Sequence, residues 1–141
     1  MSDYQYPFST ERSSLLNTET FRNLLGSALE NSSKSVIILS AYLKKKGVDW
    51  LKEKIGNKNI KCTIVTRWNK GDLAQESSDL ECYFIAKENG WTFKVLQDLH
   101  AKVMLVDNDA LFVGSPNLTG KGMSLVPVSN EELGIKVKAL K

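Results

Sequence analysis

His100-Ala101-Lys102-Val103-Met104-Leu105-Val106-Asp107-Asn108-Asp109-Ala110-Leu111-Phe112-Val113-Gly114-Ser115-Pro116-Asn117 is the stretch on which the fold turns. Val103 to Val106 is an apolar run of the length of a buried strand. Asp107-Asn108-Asp109 is turn chemistry. Ala110 to Val113 is a second apolar run, so the pair reads as a hairpin. Residues two apart on a strand share a face, which puts His100 and Lys102 on the same side if the strand begins at or before His100. An antiparallel return carries Asn117 back to the end where the first strand began. His100 is the only histidine of the chain. Imidazole changes charge near neutral pH. Beside a cation and an amide it can attack a phosphorus centre while the new negative charge is held.

Outward from this hairpin, the chain alternates strands and helices. Phe21, Leu24, Leu25, Ala28 and Leu29 follow helical spacing, with Asn17 or Thr18 as cap and Asn31-Ser32-Ser33 as stop. Val36 to Leu39 reads as a central strand. A second helix is predicted from about Val48 to Ile55, ending at Gly56. Ile60 to Thr66 is the next strand, and Arg67-Trp68-Asn69-Lys70-Gly71-Asp72 is a loop leaving its end. Ser78 and Glu81 have the spacing of a capping box for a third helix. Trp91, Phe93 and Val95 alternate as a strand, and Leu133 to Val137 is the last one. Alternation of this kind predicts an α/β fold. The expectation is a three-layer sandwich around a mixed, mainly parallel sheet, the hairpin supplying the antiparallel part. Residues 1–141 read as one domain, with 1–14 as a loosely packed arm.

Length and composition are those of an ordinary globular domain: 141 residues, 42% hydrophobic. No window is long and apolar enough to span a bilayer. Met1-Ser2-Asp3-Tyr4 lacks a signal-peptide pattern, and the expected location is the cytoplasm. Without a secretion signal, Cys62 and Cys82 are expected to be reduced and packed. The net charge of +3 permits a polyanionic partner without demanding one. Lys44-Lys45-Lys46 is the densest basic run, either a solvated face or a phosphate-backbone contact.

His-x-Lys, four residues, Asp, six residues, Gly-Ser-x-Asn resembles the signature of the phospholipase D superfamily at every fixed position. Asn130-Glu131-Glu132-Leu133-Gly134 resembles the acidic element that follows in its nuclease members. The resemblance implies a phospholipase D-like fold and phosphodiester chemistry. His100 would be the nucleophile, forming a phosphohistidine. Lys102 and Asn117 would donate to the non-bridging oxygens. Glu132, with Glu131 as its rival, would hold the far imidazole nitrogen, and Ser115 would orient the site. Asp107 and Gly114 are read as structural. Full superfamily enzymes carry two copies of the motif. This chain has one, which implies a homodimer with a His100 from each subunit facing one phosphate.

The resemblance extends to bacterial endonucleases and to catalytic domains of metal-independent restriction endonucleases. DNA is therefore the expected substrate, with RNA open. Sequence specificity would come from a separate DNA-recognition domain or subunit. Arg67 and Lys70 either touch the substrate backbone or belong to a plain surface loop. Trp68 is read as packing. No cofactor or metal is expected. One histidine and two scattered cysteines do not make a zinc site, and Ala110-Leu111-Phe112 replaces what a calcium loop would need after Asp109. No Asp or Glu is followed two residues later by Lys, the tripeptide of metal-dependent restriction nucleases. Two alternatives stand beside the nuclease: a phospholipase or phosphatidyltransferase, and an inactive DNA-binding or dimerisation module.

Overall fold

The computed structural model describes residues 14–139. The elements are β1 (Ser14–Asn17), α1 (Thr18–Glu30), β2 (Ser35–Ser40), α2 (Lys45–Ile55), β3 (Lys61–Thr66), α3 (Lys70–Ala74), α4 (Glu81–Glu88), β4 (Thr92–Val95), β5 (Val103–Val106), β6 (Ala110–Gly114) and β7 (Leu133–Lys138). The proposed N-terminal arm lies outside the described residues except for Ser14, which opens β1.

Local chemistry explains most boundaries. Asn17 is extended, and its side-chain oxygen accepts from the Thr20 N–H at 2.9 Å, the cap that starts α1. Gly56 ends α2 with φ +65, a conformation that costs glycine little. The helix itself begins at Lys45, earlier than expected. A remote carboxylate is the reason: Asp79 accepts from the Lys45 N–H at 2.7 Å. The capping box of the third helix does not form. Leu80 precedes α4 without a side-chain cap, and buried Ser78 instead accepts from the Leu43 N–H at 3.2 Å. Two elements escaped the sequence reading. β1 is only four residues long, and α3 is one short turn capped by Asn69.

All seven strands form one sheet in the order β1-β7-β6-β5-β2-β3-β4. The class is α/β and the sheet is mixed, as expected. Its balance differs from the expectation. Only β2–β3 and β3–β4, each joined through helices, pair in parallel; every other neighbouring pair is antiparallel. The hairpin does not merely edge a parallel sheet. It sits in the middle, with β5 against β2.

The three-layer expectation is also corrected. Val36, Ile38, Cys62, Ile64, Met104, Val106 and Phe112 line one face of the sheet. Phe21, Leu25 and Leu29 of α1, Val48, Leu51 and Ile55 of α2, and Cys82 and Ala86 of α4 join the same core. The longer helices therefore share one face. The other face carries Ile37, Leu39, Val65, Val103, Leu105, Leu111 and Val113, and no helix covers it among the described residues. Period-2 alternation of two apolar sets looks the same from sequence whether one or both faces are covered.

Cys62 and Cys82 are free and buried, and burial pushes each thiol up to about 12. No helix among the described residues is long and apolar enough to cross a membrane.

Candidate active site

Strand directions decide what meets what. β2, β3 and β4 run together, and β5 runs against them. The chain entering β5, the chain leaving β6 and the chain entering β7 therefore lie at the end where β2 to β4 finish. His100 and Lys102 precede β5, Ser115 and Asn117 follow β6, and Glu131 and Glu132 precede β7. One end of the sheet gathers the whole predicted catalytic set.

Asn117 is the most firmly held of these residues. Pro116 and Leu118 on either side of it are buried. The Leu118 N–H donates to Ser40 Oγ at 2.9 Å, and Leu43 forms a parallel bridge with Leu118. The Asn117 side-chain oxygen accepts from the Tyr42 N–H at 3.2 Å and lies 3.4 Å from Ser40 Oγ, whose hydroxyl donates to the Tyr42 carbonyl at 2.7 Å. With its oxygen engaged on the protein side, the amide presents its NH2 as a donor. Ser40 and Tyr42 were missed by sequence reading. The signal available was a polar residue on the buried parity of β2, after Val36 and Ile38.

Glu132 is positioned from three directions. Its N–H donates to Thr18 Oγ1 at 2.7 Å. Its carboxylate accepts from the Ser115 hydroxyl and from Asn130 Nδ2, the latter at 3.1 Å. Ser115 Oγ in turn accepts from the Leu133 N–H at 3.0 Å. Among the described residues no hydrogen bond joins Glu132 to His100. The Glu–Ser pair is the contact present here. Glu131 is exposed. His100 is exposed as well, beside buried Leu99, and Lys102 Nζ donates to the His100 carbonyl at 3.3 Å.

The two glycines of the site region oppose each other across β6 and β7. A Cβ on Gly114 would stand 2.5 Å from Gly134 Cα and from the Leu133 carbonyl oxygen. A Cβ on Gly134 would meet the Phe21 ring at the same distance. Phe21 also packs edge-on against Phe112, with centroids 5.7 Å apart. Both glycines are thus needed for close approach of backbone and ring.

Asp107 stands at the other end of the hairpin. Its Oδ1 accepts from the N–H groups of Lys34 at 2.8 Å and Ser35 at 3.1 Å, and Oδ2 from Ser33 at 3.0 Å. Desolvation pushes this carboxyl up. The hydrogen bonds from Lys34, Ser35 and Ser33, with the Lys34 charge, outweigh it and leave the group below its ordinary value of 3.8. Asp107 and Asn108 both have positive φ, at 56° and 54°, the backbone of a tight hairpin turn.

Arg67 is engaged within the protein. Its guanidinium donates to both Asp72 carboxylate oxygens, at 3.1 and 3.2 Å, and to the Tyr42 hydroxyl at 2.6 Å. Lys70 opens α3 and is exposed. Trp68 packs against Phe93 and Tyr83, at 5.1 and 6.3 Å between centroids. A cleft of about 760 Å³ opens beside Asn117 and Tyr42 and extends along Lys44, Lys45, Lys46, Thr119, Lys121 and Val126.

The family model described as cardiolipin synthase, PLD-like domain, matches residues 25–141. The chain belongs to the phospholipase D-like family. Members of this family act on phosphodiesters. No curated protein matches the chain. Among solved structures, the phospholipase D-like chain is similar to NucT from Helicobacter pylori, with 18% identity over 92% of this chain and 85% of that one, and a TM-score of 0.67. Nuc from Salmonella typhimurium, a phospholipase D family member, gives 18% identity over 91% and 84%, with a TM-score of 0.69. The phosphatidylserine synthase of Haemophilus influenzae gives 13% identity over 93% of this chain and 34% of that one, with a TM-score of 0.73. At such identities the likeness is one of fold.

Proposed function

We propose that this phospholipase D-like protein is a metal-independent endonuclease that cleaves DNA through a phosphohistidine on His100. The observation that carries the reading is the meeting of His-x-Lys, Gly-Ser-x-Asn and Glu132 at one end of the sheet, with the Asn117 amide oriented by Ser40 and Tyr42. His100 attacks phosphorus, and the bond to the leaving oxygen breaks as the phosphohistidine forms. Lys102 and Asn117 donate to the non-bridging oxygens as charge builds on them. Water then attacks phosphorus, its proton passing to the imidazole that protonated the leaving oxygen, and the P–N bond breaks to release the second product and restore His100.

One histidine cannot attack phosphorus and protonate the leaving oxygen in the same step. The active species is therefore a homodimer, with the partner's imidazole as general acid. Glu132 reaches the imidazole only by leaving Ser115 or by sharing it, so in this resting arrangement it is a positioning group for Ser115. The fold is common to NucT, Nuc and the phosphatidylserine synthase, so it does not choose between them. The acidic element Asn130 to Gly134, which resembles that of the family's nucleases, favours a nuclease over a lipid enzyme. Sequence choice would be supplied by a separate recognition domain or subunit.

The test is incubation of the wild-type protein with supercoiled plasmid in excess chelator. Nicked and linear products are expected, with an acid-labile phosphate adduct mapping to His100. Mixed dimers of wild-type and His100→Ala subunits should be strongly impaired, since each lacks one of two complementary groups. A strict requirement for magnesium would overturn the reading in favour of metal-assisted hydrolysis.

A further inference from the structure

We propose that the cleft between the start of α2 and the turn at residues 119–121 is the track for the nucleic-acid strand flanking the scissile phosphate. Lys46 and Lys121 would be its phosphate contacts. This inference rests on the nuclease reading and names residues that the signature does not contain.

The cleft starts at the catalytic end of the sheet. Asn117 and Tyr42 line it, and the Asn117 oxygen is bonded to the Tyr42 N–H. A strand that offers a phosphate to the Asn117 amide has this volume open beside it. At about 760 Å³ the cleft is of the size that takes small ligands, and it accommodates the sugar and base next to the reacting phosphate. Its wall is largely apolar, with Val126 and the stem of Lys46 packed beside Gly120. Such a wall suits sugar and base surfaces, and cations at its rim suit phosphates.

The charges of the cleft separate into engaged and unengaged. Lys44 Nζ is taken by Asp79 at 2.9 Å and by the Glu76 carbonyl. Lys45 Nζ is taken by Asp49 at 2.6 Å. Asp79 is neutralised by Lys44 and also accepts from the Lys45 N–H. Among the described residues, the Lys46 and Lys121 ammonium groups make no ion pair and no hydrogen bond. Lys46 is aimed by packing: Gly120 has no side chain, and the Lys46 Cβ and Cδ lie 3.5 Å from where its Cβ would be. Glu76 is the remaining acid of the lining, and its carboxylate makes no ion pair. Two free cations against one free acid leave a cationic rim. Arg67, by contrast, is held by Asp72 and Tyr42.

The test pairs binding with cleavage. A fluorescent single-stranded oligonucleotide is titrated against wild type and Lys46→Gln/Lys121→Gln by anisotropy at several salt concentrations. The double variant should bind about tenfold more weakly or worse. Its log–log salt slope should be shallower by about 1.4, from roughly 0.7 per phosphate contact on a single strand. Cleavage of the oligonucleotide should fall through KM, while hydrolysis of bis(p-nitrophenyl) phosphate, which has no flanking phosphate for Lys46 and Lys121 to hold, should be unchanged. Unchanged oligonucleotide binding and slope would overturn the proposal whether or not the protein cleaves DNA. Loss of binding to phosphatidylglycerol vesicles with oligonucleotide binding intact would overturn it in favour of a lipid track. Normal binding behaviour of the pair with no cleavage by wild type would sink the nuclease reading alone.

Discussion

At one end of the β5–β6 hairpin the Asp107 carboxylate is filled by the N–H groups of Ser33, Lys34 and Ser35. At the other end, the Asn117 amide donors and the His100 ring have no partner among the described residues, and both face solvent at least in part. Residues of one spaced signature are thus used in opposite ways. A polar group whose hydrogen-bonding capacity is met inside the chain contributes to stability. A group held on one side and open on the other is prepared to act on something else. Asn117 shows the second arrangement within a single side chain, oxygen fixed and nitrogen free.

Substitutions at the two ends should separate activity from stability. The largest effect is expected for His100→Ala. Cleavage should fall at least about a thousandfold, as for loss of other covalent nucleophiles, with Tm unchanged because the ring fills no core. Full activity in this variant would remove the mechanism. Asn117→Asp comes next. The aspartate keeps an oxygen for the Tyr42 N–H but replaces the donor with an anion. The expected loss is about 100- to 1000-fold in kcat with the fold retained by circular dichroism. A mere rise in KM would mean that the amide binds substrate without stabilising the transition state.

Gly114→Ala tests how the active end is built. Its Cβ would stand 2.5 Å from the Gly134 backbone, so β6 and β7 must part. A loss of about 3 kcal/mol is expected by denaturant unfolding. Part of the activity should vanish with it, because Ser115 and Glu132 ride on those strands. Stability equal to wild type would show that the β6–β7 approach is softer than the geometry implies.

The smallest effect belongs to the far end. Asp107→Asn can keep the positive φ and one acceptor but loses the charge. It should cost about 1 to 2 kcal/mol and leave kcat unchanged below Tm. The pH dependence has a defined sign. The folded carboxyl lies below its ordinary 3.8, so its stabilisation is complete above that range and is lost as pH falls through the folded value. The Tm gap between wild type and Asp107→Asn should therefore close in acid below 3.8. A gap that does not narrow at all as the pH falls from about 5 to about 2 would assign the effect to turn geometry and not to charge.

What the sequence determined by itself is local. Apolar runs of strand length and Asp-Asn-Asp at a turn specify the hairpin and bring the signature together, because strand periodicity and turn chemistry act over a few residues. β5 begins only at Val103, so strand alternation does not set the faces of His100 and Lys102. The Asn17 cap and the Gly56 stop were legible for the same reason. Tertiary structure decided the rest through contacts that leave no local trace. Asp79 moved the start of α2, and Leu43 took Ser78 away from its helix. Strand order placed β5 against β2 and made the sheet mostly antiparallel. Packing put the longer helices on one face. Ser40 and Tyr42, some seventy-five residues before Asn117 in the chain, oriented its amide, and Asp72 took Arg67 out of the exposed cations. Each of these is a pairing of a polar group with whichever partner the folded chain brings near. The free energy of leaving a buried donor or charge unpaired enforces such pairings, and only the assembled fold says which partner that is.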